Sequence, residues 1–258
     1  NTTLTFSFNK NKITNLYTNP RVIDMLPVEG YPREGYPVRG LYSIPFVGLN
    51  SEGMPILINE NGEETVGEIN FEEVEKHDFL IYEGPVDPKI IGGFDNTVTW
   101  KNFKAGIFFT YQFGSKLRLY PSFSSRYSDL MGMGREFADR WMIPGDEYIT
   151  NVPAIATARD AQRYPYLQRA FNAYNYSNVR VAKGDFIRLK DIYVTYDFPK
   201  KWISNLKVTN LSLRAAVSNV CLLLSDKKLK GQDPEFVRSG GVALPVPRQY
   251  TFTLKFGF

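Results

Sequence analysis

The side chains able to do chemistry are few and scattered. The single histidine, His77, lies in Glu72–Phe79 (EEVEKHDF). One imidazole, without cysteines or an HExxH spacing, builds no metal centre and reads as a solvated loop residue. Any Ser–His relay would have to run through it, and no GxSxG turn is present. The one cysteine, Cys221, sits in the apolar run Val220–Leu224. It excludes an intrachain disulfide and reads as a small packing residue. The pairs Asp146-Glu147 and Asp233/Glu235 have the residue types of glycosidase carboxylates. In loops rich in Gly and Pro such acids more commonly turn the chain or fix a loop. The run Asn59–Glu64 (NENGEE) has acidic oxygens but not the spacing of a calcium loop. No glycine-rich phosphate cradle follows a strand. The expectation is a non-enzyme, with no catalytic residue, metal or cofactor.

Recognition chemistry is denser. Residues 121–184 form a long stretch crowded with aromatic and basic side chains. Arg140, Trp141, Tyr164, Tyr166 and Tyr174 are its candidate recognition residues, because rings beside hydrogen-bonding groups suit sugars, peptides or protein partners. The competing reading is that these rings only pack the loop. Lys and Arg number 31 against 27 Asp and Glu, a net charge of +4. The two signs are mixed along the chain, which argues against a nucleic-acid surface.

The elements that must position such loops alternate with period two. Leu4, Phe6 and Phe8 alternate with polar residues. So do Phe103–Gly114 (FKAGIFFTYQFG), Lys190–Phe198 (KDIYVTYDF), Val208–Ser218 and Arg248–Phe258 (RQYTFTLKFGF). Such alternation predicts half-buried antiparallel strands. Weaker strand signals cover Gly40–Gly48, Pro55–Asn59, Asn96–Trp100 and Lys116–Tyr120. Gly114-Ser115 reads as a tight turn and Pro199–Lys207 as a short link, while Ser128–Trp141 is compatible with a short helix. Residues 15–39, 51–92, 121–184 and 218–247 are long connections, a length usually tied to function. There is no apolar run of about eighteen residues, so no transmembrane helix is encoded. Strands that cross a membrane need only about ten residues and show no such run. Alternating short and long connections, with aromatics near the strand ends, fit an outer-membrane barrel; a soluble β-sandwich binding glycans remains the alternative. A chain opening inside one alternating segment and closing on another is expected to be a piece of a longer protein.

Several ordered stretches resemble the C-terminal part of SusC/RagA-type TonB-dependent outer-membrane transporters. They are Gly92–Leu117, Asp139–Pro153 (DRWMIPGDEYITNVP), Gly184–Trp202 (GDFIRLKDIYVTYDFPKKW), Gly231–Phe236 (GQDPEF) and Pro245–Phe258 (PVPRQYTFTLKFGF). The resemblance covers roughly residues 40–258. It implies an all-β fold: the C-terminal strands of an antiparallel transmembrane barrel of about twenty-two strands, with long extracellular loops. Residues 1–258 would be one barrel portion of seven or eight strands, with residues 121–184 a long extracellular loop and the plug and earlier strands outside the chain. Tyr250, Phe252, Leu254, Phe256 and Phe258 would be the lipid-facing last strand and assembly signal. Lys104, Asp197, Arg214 and Lys255 would line the lumen, and Arg188 with Asp233 and Glu235 would fix loops. The implied partners are a SusD-like surface lipoprotein as lid, TonB-ExbB-ExbD acting through the plug, the rest of the barrel, outer-membrane lipid, and a glycan or peptide substrate. The implied location is the outer membrane of a Gram-negative, Bacteroidetes-type bacterium.

Overall fold

A computed structural model describes residues 1–128, 130, 132–204, 208–237 and 246–257. Its strands are β1 (Thr2–Phe8), β2 (Gly40–Ser43), β3 (Phe46–Leu49), β4 (Pro55–Ile58), β5 (Glu64–Thr65), β6 (Ile81–Pro85), β7 (Ile90–Trp100), β8 (Phe103–Phe113), β9 (Lys116–Arg118), β10 (Val181–Lys183), β11 (Phe186–Asp197), β12 (Asn210–Leu224) and β13 (Gln249–Gly257). Helices α1 (Ala158–Arg163) and α2 (Leu167–Asn175) lie between β9 and β10, and α3 (Lys200–Ile203) follows β11. None is long and apolar enough to cross a membrane, which says nothing of strands.

Long strands dominate. Six of them form one antiparallel sheet in the order β1-β7-β8-β11-β12-β13. Because strand side chains alternate in direction, register decides which residues share a face. Trp100 pairs with Phe103, Phe103 with Tyr196, Tyr196 with Leu213, and Leu213 with Leu254. Val98, Ala105, Val194, Ala215 and Phe252 make the adjoining row. One face is therefore largely apolar, interrupted by the hydrogen-bonded Thr2 and Asn96 near the β1 edge, and it is open: Phe6 and Trp100 are each 64% exposed and Phe252 is 77% exposed. Among the described residues no second sheet packs on it, so the two-sheet packing that a β-sandwich requires is not what this chain builds. The opposite face carries Thr5, Thr97, Lys104, Thr195, Arg214 and Thr253. On β11 one extra residue, Lys190, shifts the register between Leu189 and Asp191, a bulge that keeps both faces continuous.

The long connections, residues 9–89, 114–185 and 225–248, all leave one end of this sheet. The short ones, Lys101-Asn102 and 198–209, close the other. The tight hairpin is therefore Lys101-Asn102, where Lys101 takes a left-handed φ of 50° as such loops demand. The expected turn at Gly114-Ser115 is instead a joint. β8 continues through it into β9, which pairs with β10 as β10 runs on into β11. Asp185 Oδ1 accepts the Gly114 amide at 2.6 Å, and the Gly184 amide donates to the Ser115 carbonyl at 3.0 Å. A side chain on Gly184 would meet Ser115 Oγ at 2.4 Å. The sheet thus narrows to a two-stranded stalk that carries the loops. The expected seven or eight barrel strands are six among the described residues.

The long connections fold rather than wander. Val22, Met25 and Leu26 bury with Tyr42, Ile44, Leu57 and Ile69 in one core. Met54, Phe123, Leu167, Phe171 and Tyr174 make a second. Leu229 and Val237 pack on Leu117, Leu119 and Ala182 of the stalk region in a third. Each fully buried Leu, Ile or Phe contributes about 1.5–3 kcal/mol, which makes this a packed layer. Helix α2 supplies Leu167, Ala170, Phe171 and Tyr174 at helical spacing, all buried. Of the helix expected over Ser128–Trp141, the described residues show a five-residue 3-10 segment at Arg135–Asp139, and residues 129 and 131 lie outside the described ones.

Candidate functional site

The best-built part of the loop layer surrounds Trp141. Gly53 sits at φ +76°, where a side chain would lie 2.6 Å from Ala154 Cβ and 2.7 Å from the indole. Only glycine admits the Trp141 ring there. The indole Nε1 donates to Glu147 Oε2 at 2.9 Å, and the Gly145 amide donates to the same oxygen at 2.8 Å. The indole hydrogen bond, followed by backbone bonds, holds the Glu147 carboxyl below the usual glutamate range. Asp146 Oδ2 accepts the amides of Met142 and Ile143 at 2.8 and 3.1 Å. Both acids expected to do no chemistry thus shape a turn.

Tyr164 is half-buried. Its hydroxyl donates to Glu52 Oε2 at 2.7 Å and accepts from Asn50 Nδ2 at 2.9 Å. Burial, reinforced by Glu52, pushes its phenol up. Arg163 bonds the same carboxylate. Tyr166 is exposed, with the Arg169 guanidinium 5.1 Å from its ring centre. Arg140 lies 4.8 Å over the Phe137 ring and donates to the Phe137 carbonyl at 3.2 Å. Tyr174 departs from expectation: it is 2% exposed, packed edge-on against Phe46 and Phe123. It is a core ring, and its desolvated phenol is strongly raised.

Beside this turn opens a cleft of about 540 Å³. Asp139, Arg140, Asp146 and Ile149–Val152 form one wall, and Lys228 and Lys230 the other. Lys230 Nζ meets Asp139 Oδ2 at 3.1 Å, joining the two loops. The floor holds a buried pair, Arg180 to Glu136 at 2.8 Å. Arg180 also donates to the Tyr120 carbonyl at 2.8 Å, and its Nε is buried without a partner.

Deeper at the root of the layer, Arg188 Nη2 reaches both Asp233 oxygens at 2.6 Å, with Glu235 at 3.4 Å. Arg188 and Asp233 are both buried, so the loop-fixing role expected for them is what the structure shows. Arg118, buried as well, donates to the Tyr42 carbonyl, and desolvation lowers it to about 10. His77 is half-buried with Nε2 shut from solvent, so it is not the solvated residue expected. No group of metal-binding side chains gathers among the described residues.

On the sheet, Lys104 and Arg214 flank Thr195 in one row of the polar face. Asp197 and Lys255 flank Ser212 in the next. The Arg214 guanidinium lies over the Tyr193 ring, 4.0 Å from its centre. Tyr193 covers Gly106, and its hydroxyl reaches Thr97 Oγ1 at 3.1 Å. Phe108 covers Gly93 in the same manner. Aromatic rings laid on cross-strand glycines were missed in the sequence, although a glycine in an alternating strand marks such a close approach. Tyr250, Phe252, Leu254 and Phe256 lie on the apolar face; Phe258 is outside the described residues.

No family model matches the chain. Over 160 residues it is 29% identical to the TonB-dependent receptor P39 of Formosa agariphila, covering 60% of this chain and 14% of that protein. In fold it is similar to the RagAB peptide importer in its open-open state, with a TM-score of 0.69 at 19% identity over 100% of this chain and 26% of the other. The closed-closed state gives 0.66 at 18% identity, covering 27% of that chain. The chain spans about one seventh of the curated relative and about a quarter of these solved chains.

Proposed function

We propose that this stretch of a SusC/RagA-type TonB-dependent transporter forms part of the wall and extracellular loop layer of an outer-membrane barrel that imports a nutrient, an oligosaccharide or a peptide. Tyr250, Phe252, Leu254 and Phe256 then face lipid along with the rest of the apolar face, and Phe258 completes the assembly signal. Lys104, Asp197, Arg214 and Lys255 line the lumen. Residues 121–184 belong to the outer vestibule, where Arg140, Trp141, Tyr164 and Tyr166 meet cargo or a SusD-like lipoprotein lid. TonB-ExbB-ExbD acts through a plug outside this chain, and the protein lives in the outer membrane of a Bacteroidetes-type bacterium. It transports without catalysing a reaction.

The observation that carries this reading is the open six-stranded sheet, largely apolar on one face and largely polar on the other, with every long connection at one end. In lipid an unpaired backbone group costs several kcal/mol, so β1 and β13 each require a further strand, which the rest of a closed barrel supplies. The test uses the full-length protein. Heat-modifiable gel mobility in detergent, with nutrient uptake abolished by removing TonB, is expected. A folded, detergent-independent protein would refute the barrel. Normal uptake after deletion would leave a membrane anchor without transport.

A further inference from the structure

We propose that the rim of the apolar face at its short-connection end binds an anionic phospholipid, its phosphate held by Lys101, Lys200 and Lys201 and its chains laid against Trp100 and Trp202. The inference rests on the barrel reading, which puts this face in lipid. The rim is built of rings. Phe103 and Tyr196 pair at 4.6 Å between centres, Tyr196 meets Phe198 at 5.0 Å, and Trp202 stands 6.4 Å from both Tyr196 and Phe198. Strand alternation puts Trp100, Phe103, Tyr196 and Phe198 on the apolar side. Trp202 joins them from α3, which is anchored by the buried Ile203 and by the Trp202 amide donating to the Pro199 carbonyl at 2.9 Å. Trp100 and Trp202 are both exposed. Amphipathic rings of this kind belong at a membrane–water interface. The length of β8 agrees: its eleven residues, at about 3.4 Å each and tilted by about 45°, rise about 25 Å, the height of a barrel's apolar band, so Phe103 stands at one interface and Phe113 at the other.

The cations are brought to this rim by the fold. Lys101 opens the hairpin between β7 and β8, and its Nζ lies over the Trp100 ring, 5.0 Å from the centre. Asn102 Nδ2 donates to the Asp197 carbonyl at 2.6 Å, and the Asp197 amide donates to the Asn102 carbonyl at 2.9 Å. The hairpin is thus tied to the strand end that leads into Lys200 and Lys201. Lysines are the only ionisable side chains of Lys101-Asn102 and of residues 198–209. Asp197, the neighbouring acid, belongs by alternation to the polar face. Lys101, Lys200 and Lys201 are exposed, and none forms an ion pair among the described residues. Cations without an acid favour a headgroup of net negative charge. A zwitterionic headgroup brings an ammonium that meets no carboxylate here. Each lysine at a bilayer surface strengthens attraction to anionic lipid by about fivefold. A dissolved anion gains nothing from the rings, so the occupant is a lipid.

The experiment reconstitutes the full-length transporter into dioleoylphosphatidylcholine vesicles doped with brominated phosphatidylglycerol or, in parallel, brominated phosphatidylcholine. Quenching at Trp100 and Trp202 is read as the part lost when both are changed, Trp100→Phe with Trp202→Phe. At these two rings phosphatidylglycerol is expected to be preferred by at least about tenfold, the combined effect of the lysines. The triple change Lys101→Gln, Lys200→Gln and Lys201→Gln should bring that preference close to one. It should leave quenching by phosphatidylcholine and heat-modifiable mobility as they were, and the same three positions changed to Arg should keep the preference. Equal quenching by the two lipids in the unaltered protein, or a preference that survives the triple Gln change, would overturn the site while leaving the barrel in place. Absence of quenching by either lipid would instead remove the barrel reading, and the site with it.

Discussion

Phe252 and Thr253 are neighbours on β13 that point to opposite faces, near the middle of a nine-residue strand. Phe252 stands on the apolar face opposite Ala215, and Thr253 on the polar face opposite Arg214. If the apolar face meets lipid, Phe252→Arg puts a cation near the bilayer midplane. Such a change costs about 2–4 kcal/mol, which is roughly 30- to 900-fold in the ratio of folded to unfolded protein. Thr253→Arg should be much milder. Its remaining cost comes from Arg214 directly across the strand pair, and like charges so placed cost no more than about 1 kcal/mol. Thr253→Glu reverses that sign and should be neutral or slightly stabilising. The assay is urea-dependent folding of the full-length protein into bilayers, read by heat-modifiable mobility. Equal losses for Phe252→Arg and Thr253→Arg, or a greater loss at Thr253, would refute the assignment of faces.

Asp233→Ala should destabilise the loop layer by about 3–5 kcal/mol, because it leaves the Arg188 guanidinium buried with only the looser Glu235 contact; Arg188→Met with Asp233→Leu should recover most of that, as measured by protease resistance of residues 225–237. Gly53→Ala should loosen the Trp141 turn at a cost of about 1–3 kcal/mol, since both the positive φ and the indole contact forbid a side chain; a red shift in tryptophan emission checks it. Glu147 ionises more readily in the folded turn than its ordinary value of 4.5. Its contribution to the turn is therefore full above that pH and is lost as pH falls through the lowered folded value, so proteolysis within residues 141–152 should rise on acidification and Glu147→Gln should abolish the dependence.

The sheet was legible because its signal is local. Thr3, Thr5 and Ser7 against Leu4, Phe6 and Phe8 state their own faces, and the same holds for Thr251 and Thr253 against Phe252 and Leu254. Asp146 could be read as a turn former, and Thr157 with Asp160 makes a capping box from residues three apart. The loop layer was hidden because its contacts are long in sequence. Tyr164 meets Glu52 across 112 residues, and nothing near either residue announces the other. The tight turn was misplaced because Gly114-Ser115 has turn composition, while the true hairpin at Lys101-Asn102 has no glycine and bends through a strained lysine. Tyr174 stood among the candidate recognition rings beside the competing reading that such rings pack the loop, and Leu167, Ala170 and Phe171 on its helical face mark it as a packing ring.

The stalk gives the loop layer a mechanical character. At the Gly114 and Gly184 joint the ladder of β8 and β11 narrows but does not stop: β9 and β10 continue it through Lys116–Lys183, Leu117–Ala182 and Arg118–Val181. A pull on the loops directed along these strands loads the paired rungs together, in shear. A sideways pull would open them one after another, like a zipper. The layer is therefore stiff along the strand direction and weaker across it. Whatever settles on top of this chain can press or draw on the wall beneath, and the lever that carries the load is three residue pairs wide.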